Sequence, residues 1–248
     1  TPPLIAPPRW WKQFKVYAQR DVHSKRTNKQ YLLINLLEAP ILALILAGFN
    51  RFQEGGDSYV YRLSENLPQF LFISVIVSLF MGLSVSAEEI LRDRPTLRRE
   101  RFLQLNWTAY LTSKVSLMFG LSAVQSASYA LISILVLRIP DAFGILFLTL
   151  FSLSCFANML GLSISSAFRS AKVIYIIIPL LIIPQIIFGG AIVRFDRFNP
   201  LLTEVDRVPW IGNIMASRWG FESLAVSLSR DNRADAPFIK IEDRLERS

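Results

Sequence analysis

Five stretches of this chain are long, apolar and almost free of charge, and they constrain the fold before any other feature. They cover residues 31–49, 67–87, 108–137, 142–168 and 173–193. Crossing about 30 Å of hydrocarbon takes about 20 helical residues, and each run is of that order. A soluble domain has no need of such runs. They also account for a composition that is 52% hydrophobic and only 19% charged. The fold expected is therefore an all-α integral membrane protein, a polytopic helical bundle of five spans, preceded by an amphipathic helix. The predicted organisation is 1–30 as that helix, 31–193 as the membrane domain, and 194–248 as a segment on the far side.

The formal charge of +8 fits a nucleic-acid binder only if the cations line a face interleaved with stacking aromatics. Here they flank the apolar runs, so no nucleic-acid partner is expected; the lipid bilayer is. Residues 9–30 carry seven Lys or Arg against one acid, Asp21. Trp10, Trp11, Phe14, Val16 and Tyr17 recur there at roughly helical spacing, which predicts a basic amphipathic helix along the membrane surface. Residues 88–102 hold five arginines and four acids, a density that hydrocarbon does not admit. With Arg169 and Lys172, one side of the membrane holds fourteen cations, and the other holds three, Arg51, Arg62 and Arg138. By the positive-inside rule the N-terminus and the 88–102 loop are cytoplasmic, and 194–248 is external. The short turn 138–141 makes the third and fourth spans antiparallel neighbours.

Several kinds of chemistry lack their parts. Cys155 is the single cysteine and His23 the single histidine, so neither a disulfide framework nor a histidine-based metal or nucleophile site is expected. No G-x-x-x-x-G-K-[ST], H-E-x-x-H or G-x-S-x-G occurs, and ATP cannot be bound here through a P-loop. No catalytic residue and no resident cofactor are expected in the chain.

Glu38 is the one acid in mid-span, and such a group costs about 2.5–3.5 kcal/mol on insertion scales unless paired or hydrated. The favoured reading pairs it with Lys114 at the start of the third span; the other makes it a proton-relay or cavity group. Serines recur on helical faces of the second to fourth spans, where they permit close approach and interhelical hydrogen bonds. In the fifth span Pro179, Pro184 and Gly189-Gly190 predict a kink or a re-entrant end near 184–190.

The order of these parts resembles the permease half of ATP-binding cassette exporters of the G subfamily and their bacterial relatives. Four segments carry the resemblance: PPRWWKQFKVYAQRD, then LRDRPTLRRE with TAYLTSK, then IIFGGAIVRFD, then PWIGNIMASRWGFESLAV. Within the second, Asp93, Arg94, Pro95, Leu97, Arg99, Glu100, Tyr110 and Lys114 occupy the family's characteristic places. The resemblance implies that 88–102 is a coupling helix docking on a nucleotide-binding domain, with Asp93, Arg94, Arg98, Arg99 and Glu100 as its contact residues. It also implies a plug or re-entrant turn at Gly189, Gly190, Ala191 and Ile192. A cavity between the second and fifth spans of a dimer would be lined by Phe70, Phe72, Ile178, Leu181, Gln185 and Ile186.

The expected partners are an ATP-binding cassette carrying ATP and Mg and a second permease copy. The expected activity is export of an amphipathic or lipid-like substrate by alternating access, in a bacterial inner membrane. A scaffold or signalling component with the same fold is the alternative. The family has six spans and an attached cassette; a sixth span would follow residue 248 and the cassette would precede Thr1 or be a separate chain.

Overall fold

A computed structural model describes residues 9–51, 66–99, 106–191 and 210–231. Among these the regular structure is entirely helical. α1 (Trp10–Thr27) leads through Asn28 alone into α2 (Lys29–Asn50), whose first turn Asn28 caps by accepting the Tyr31 amide. Next come α3 (Asn66–Ser86), α4 (Glu89–Arg99) and α5 (Trp107–Leu137). A single 3-10 turn, Pro140–Ala142, then joins α5 to α6 (Phe143–Ala167), as the short predicted connection requires. α7 (Ala171–Ile187), α8 (Trp210–Ile214) and α9 (Ala216–Asp231) follow.

Among the described residues four helices, α2, α3, α5 and α6, are long and apolar enough to cross a membrane. The chain is thus a multi-pass membrane protein. α7 is apolar too but has 17 residues, about 26 Å at 1.5 Å per residue. It ends six residues before the predicted limit of the fifth run. Pro184 contributes its carbonyl to the Phe188 amide as the last helical bond, and Gly190 then takes a φ of 80°. That backbone region is open to glycine at little cost.

Small residues bring the helices together. Ala39, Ala43 and Ala47 are fully buried at every fourth position of α2, the face turned to α5. α3 lies at the centre and packs most extensively on α6. At Gly82 a Cβ would stand 2.6 Å from the Ser154 carbonyl oxygen, so this approach tolerates no side chain. With no hydrophobic drive between helices in lipid, hydrogen bonds and close packing hold the bundle. The buried serines supply them: Ser74 meets the Tyr129 hydroxyl at 2.7 Å, Ser78 donates to the Leu150 carbonyl, and Ser154 donates to Ser122, which also accepts from Asn158. Gln125 reaches the Asn35 carbonyl of α2.

α9 is drawn into the bundle rather than lying free at its edge. Leu224 and Ser217 are fully buried, and α9 packs on α3, α6 and α7. On the outside, Leu33, Ile34, Ile41 and Leu44 of α2 and Ile176, Leu180 and Ile183 of α7 are exposed. Faces of that extent belong against hydrocarbon or another protein surface.

Candidate functional site

α4 carries six charges in eleven residues and is held in place from three sides. Its N-terminal amides, which no helix can satisfy internally, find an acceptor on another helix: the Ile90 and Leu91 N–H groups both donate to Ser165 Oγ at 3.0 Å. The exchange is reciprocal. Arg94 donates to the Ser165 carbonyl at 3.1 Å and to the Ser166 carbonyl, two of the free carbonyls at the negative end of α6.

Beneath this cap lies a cluster of six charges. Glu89 is 1% exposed and receives Lys25 at 2.9 Å, Arg92 at 2.8 Å and Lys114 at 3.0 Å. Lys114, 2% exposed, spends all three of its donors on carboxylates, reaching Asp21 at 2.8 Å, Glu89 at 3.0 Å and Asp93 at 2.8 Å. Lys25 closes the ring on Asp21 at 3.3 Å. Three carboxylates thus face three cations, and the set is neutral. Two tyrosines complete it: Tyr110 donates to Asp93 and Tyr31 donates to Glu89, while Lys25 and Arg92 lie over the Tyr31 ring.

The turn at residues 87–88 sets α4 off from the apolar α3, and its six charges keep it out of hydrocarbon. Burial pushes the Glu89 carboxyl up, but Lys114, Lys25 and Arg92 outweigh burial and hold it at about 2. Breaking a buried pair by removing one partner costs about 3–5 kcal/mol, because the other charge is left stranded. The cluster therefore fixes α1, α2, α4 and α5 to one another at a single point. The centre of the three carboxylates is filled by an ammonium, and among the described residues no group of His, Cys, Asp and Glu is arranged to hold a metal ion.

α1 docks on α5 through matching contacts. Trp10 Nε1 donates to Thr108, Gln13 accepts the Asn106 amide, and Tyr17 meets Tyr110 edge to face. Asn106 also caps α5 by accepting the Thr108 amide.

Residues 12–228 match the sequence profile of the ABC-2 type transporter membrane domain. The chain belongs to the ABC-2 type transporter family. The ABC transporter ATP-binding/permease protein Rv1747 of Mycobacterium tuberculosis is 28% identical over 239 residues, covering 88% of this chain and 25% of that protein. The chain thus spans about a quarter of the length of the curated relative it matches. It is a transporter permease component.

In this ABC-2 membrane domain the residues expected to contact a nucleotide-binding domain divide in two. Asp93 and Arg94 face inward, into the cluster and the α6 cap. Arg98 and Arg99 are exposed at the end of α4, where Arg99 donates to the Pro95 carbonyl of its own helix. Glu100 lies outside the described residues. The pairing of Glu38 with Lys114 is corrected. Lys114 is saturated by Asp21, Glu89 and Asp93, and among the described residues Glu38 has no ion pair. Tyr31 is the residue of α2 that reaches the cluster, and Glu38 lies seven residues further on, about 10 Å along the helix axis.

The residues expected to line a cavity are not brought to one wall of this ABC-2 domain. Phe70, Phe72 and Ile178 are buried in the bundle, whereas Leu181 is exposed and Ile186 half-buried. Gln185 is engaged by α9, its side chain accepting the Ser217 amide and its carbonyl the Ser217 hydroxyl. Phe72 packs edge to face on Phe221, and a Cβ on Gly189 would lie 2.5 Å from the Phe72 ring. The turn at Gly189, Gly190 and Ala191 is thus seated on α3 at Gly189; Ile192 lies outside the described residues. A cavity of about 450 Å³ opens elsewhere, between α6 and α8–α9, bounded by Leu153, Phe156, Ile214 and Trp219. None of the six residues lines it.

Sequence reasoning passed over Asp21, Lys25, Glu89, Arg92 and Ser165. The available signal was Asp21 itself, the one acid in a basic amphipathic helix, with Lys25 one turn on.

Proposed function

We propose that this ABC-2 domain is the permease of an ATP-driven exporter, with α4 as the element through which an ATP-binding cassette moves the spans. The observation that carries this reading is the division of α4. One half is locked by Glu89, Asp93 and Arg94 to α1, α5 and α6, and the other presents Arg98 and Arg99 outward. A partner surface gripping Arg98 and Arg99 through charge-assisted hydrogen bonds would transmit displacement to three helices at once, since the buried cluster resists yielding locally. The printed name of the mycobacterial relative, an ATP-binding/permease protein, supports a cassette on the same polypeptide or closely associated, supplying ATP and Mg.

On this reading the basic end of the bundle faces the cytoplasm of a bacterial cell, in keeping with its excess of Lys and Arg. Two copies meet through the exposed apolar face of α7, and an amphipathic or lipid-like substrate crosses between them by alternating access.

The test uses the full-length polypeptide in proteoliposomes, with a fluorescent amphiphile as cargo. Efflux should require ATP, and Arg98→Glu with Arg99→Glu should lower ATP-driven efflux at least ten-fold while the purified protein keeps its thermal stability. Efflux indifferent to ATP, or to reversal of both charges, would sink the proposal.

A further inference from the structure

The packing of α1 commits one of its faces and leaves the other with a distinct chemistry. Trp10, Gln13, Tyr17, Asp21 and Lys25 are all engaged with α4 or α5. Asp21, the only acid of the helix, is therefore spent inward. The outer face carries Lys12, Lys15 and Arg26, with Arg9 just before the helix and Lys29 just after it. All five are exposed, and none of their side chains has an ion pair or hydrogen bond among the described residues. Between them stand apolar side chains that a solvated helix would not display: Trp11 is 68% exposed, Val16 62% and Val22 38%.

Position along the bundle identifies the surface such a face meets. Trp10 bonds Thr108 in the first turn of α5, beside Trp107, which is itself 61% exposed. Tryptophan at the entry of a spanning helix sits at headgroup level. At its other end α1 is joined through one residue to α2, a second span. The helix is thus tethered at both ends at the depth where headgroups lie. Lysine and arginine can rest their alkyl stems beside Trp11, Val16 and Val22 while their charges reach phosphate. A purely acidic protein surface would satisfy the cations but not the exposed tryptophan and valines.

We infer that the outer face of α1 is a recognition surface for anionic phospholipid headgroups, which gather there in preference to zwitterionic ones. The inference rests on the reading of α1 as lying at the cytoplasmic membrane surface, and it adds selection of lipid to that placement. Each cation near an anionic surface is worth about a five-fold enrichment, and the effect is screened by salt.

The experiment places the full-length polypeptide in vesicles of phosphatidylcholine with 30% phosphatidylglycerol, with bromine on the acyl chains of one lipid or the other at equal bromine content. The Trp11 signal is taken as the difference between the wild type and Trp11→Phe. We expect stronger quenching of Trp11 by brominated phosphatidylglycerol than by brominated phosphatidylcholine. In the protein with Arg9→Gln, Lys12→Gln, Lys15→Gln, Arg26→Gln and Lys29→Gln together, and in the wild type at 1 M salt, the two lipids should quench equally. Equal quenching in the wild type would overturn lipid selection and leave the placement standing. A preference that survives the five substitutions would also overturn it, since cations outside this face would then be responsible. No quenching of Trp11 by either lipid would overturn the placement and the selection together.

Discussion

Lys114 Nζ lies 3.0 Å from Glu89 Oε2 with both side chains all but closed to solvent, and two further carboxylates share the same ammonium. Removing it strands Asp21, Glu89 and Asp93 with two cations in place of three. Lys114→Met should destabilise the domain by about 3–5 kcal/mol. Thermal unfolding of the detergent-purified protein measures this, and adding Glu89→Gln to Lys114→Met should recover part of the loss. A melting temperature within a degree of the wild type would show that the cluster holds nothing.

The cluster also sets a direction for pH. Glu89 faces Lys25 and Asp21 of α1, Tyr31 of α2, Arg92 and Asp93 of α4 and Lys114 of α5. An ordinary glutamate titrates near 4.5, and this one is held at about 2. The folded value is the lower, so the stabilisation is complete above about 4.5 and is lost as pH falls toward 2. Melting temperature should therefore fall across that window, and Glu89→Gln should flatten the fall. Parallel slopes for the two proteins would assign the acid sensitivity elsewhere.

Glu38 lies in the apolar run of α2 and has no ion pair among the described residues, so its carboxylate is a cost rather than a tether. Glu38→Gln should raise thermal stability and leave ATP-driven efflux unchanged. A stable variant that no longer transports would make the carboxylate part of the transport path.

The spans were legible because length and hydropathy report on the solvent, and lipid imposes the same demand on each helix. The ends of α5 and α6 lie within a residue or so of expectation for that reason. The end of α7 was less legible, because a proline carbonyl and Gly190 stop the helix inside a run that stays apolar to Val193. The partner of Lys114 was beyond a one-dimensional reading. Glu38 is an acid in an apolar run and attracts attention, whereas Asp21 and Glu89 sit in charged segments where an inward-facing carboxylate looks like any other. Which face of α1 or α4 is buried depends on how the helices cross, and sequence spacing leaves that open.

Gly82 tests the contact between α3 and α6, the largest in the bundle. Its missing Cβ leaves room for the Ser154 carbonyl oxygen at 2.6 Å and for Ala157 Cβ at 2.9 Å, one a backbone atom and the other a short, rigid side chain. Gly82→Ala should separate the two helices and destabilise the domain by about 1–3 kcal/mol. Gly120, where a Cβ would have no described atom within 4 Å, is the control: Gly120→Ala should be neutral or slightly stabilising.

The α6 cap offers the sharpest separation of coupling from folding. Ser165 Oγ accepts two α4 amides, and its carbonyl accepts Arg94. Ser165→Ala removes the side-chain acceptor, strands the Ile90 and Leu91 amides, and should cost about 1–3 kcal/mol locally. α4 would then remain tied to α1 and α5 through Glu89 and Asp93 but loosened from α6. Amide hydrogen exchange should speed up at Ile90 and Leu91 and stay slow in α5. If α4 transmits motion to the spans, ATP hydrolysis by the full-length protein should persist while efflux per ATP falls. Unchanged efflux per ATP alongside faster exchange would show that α6 takes no part in the coupling.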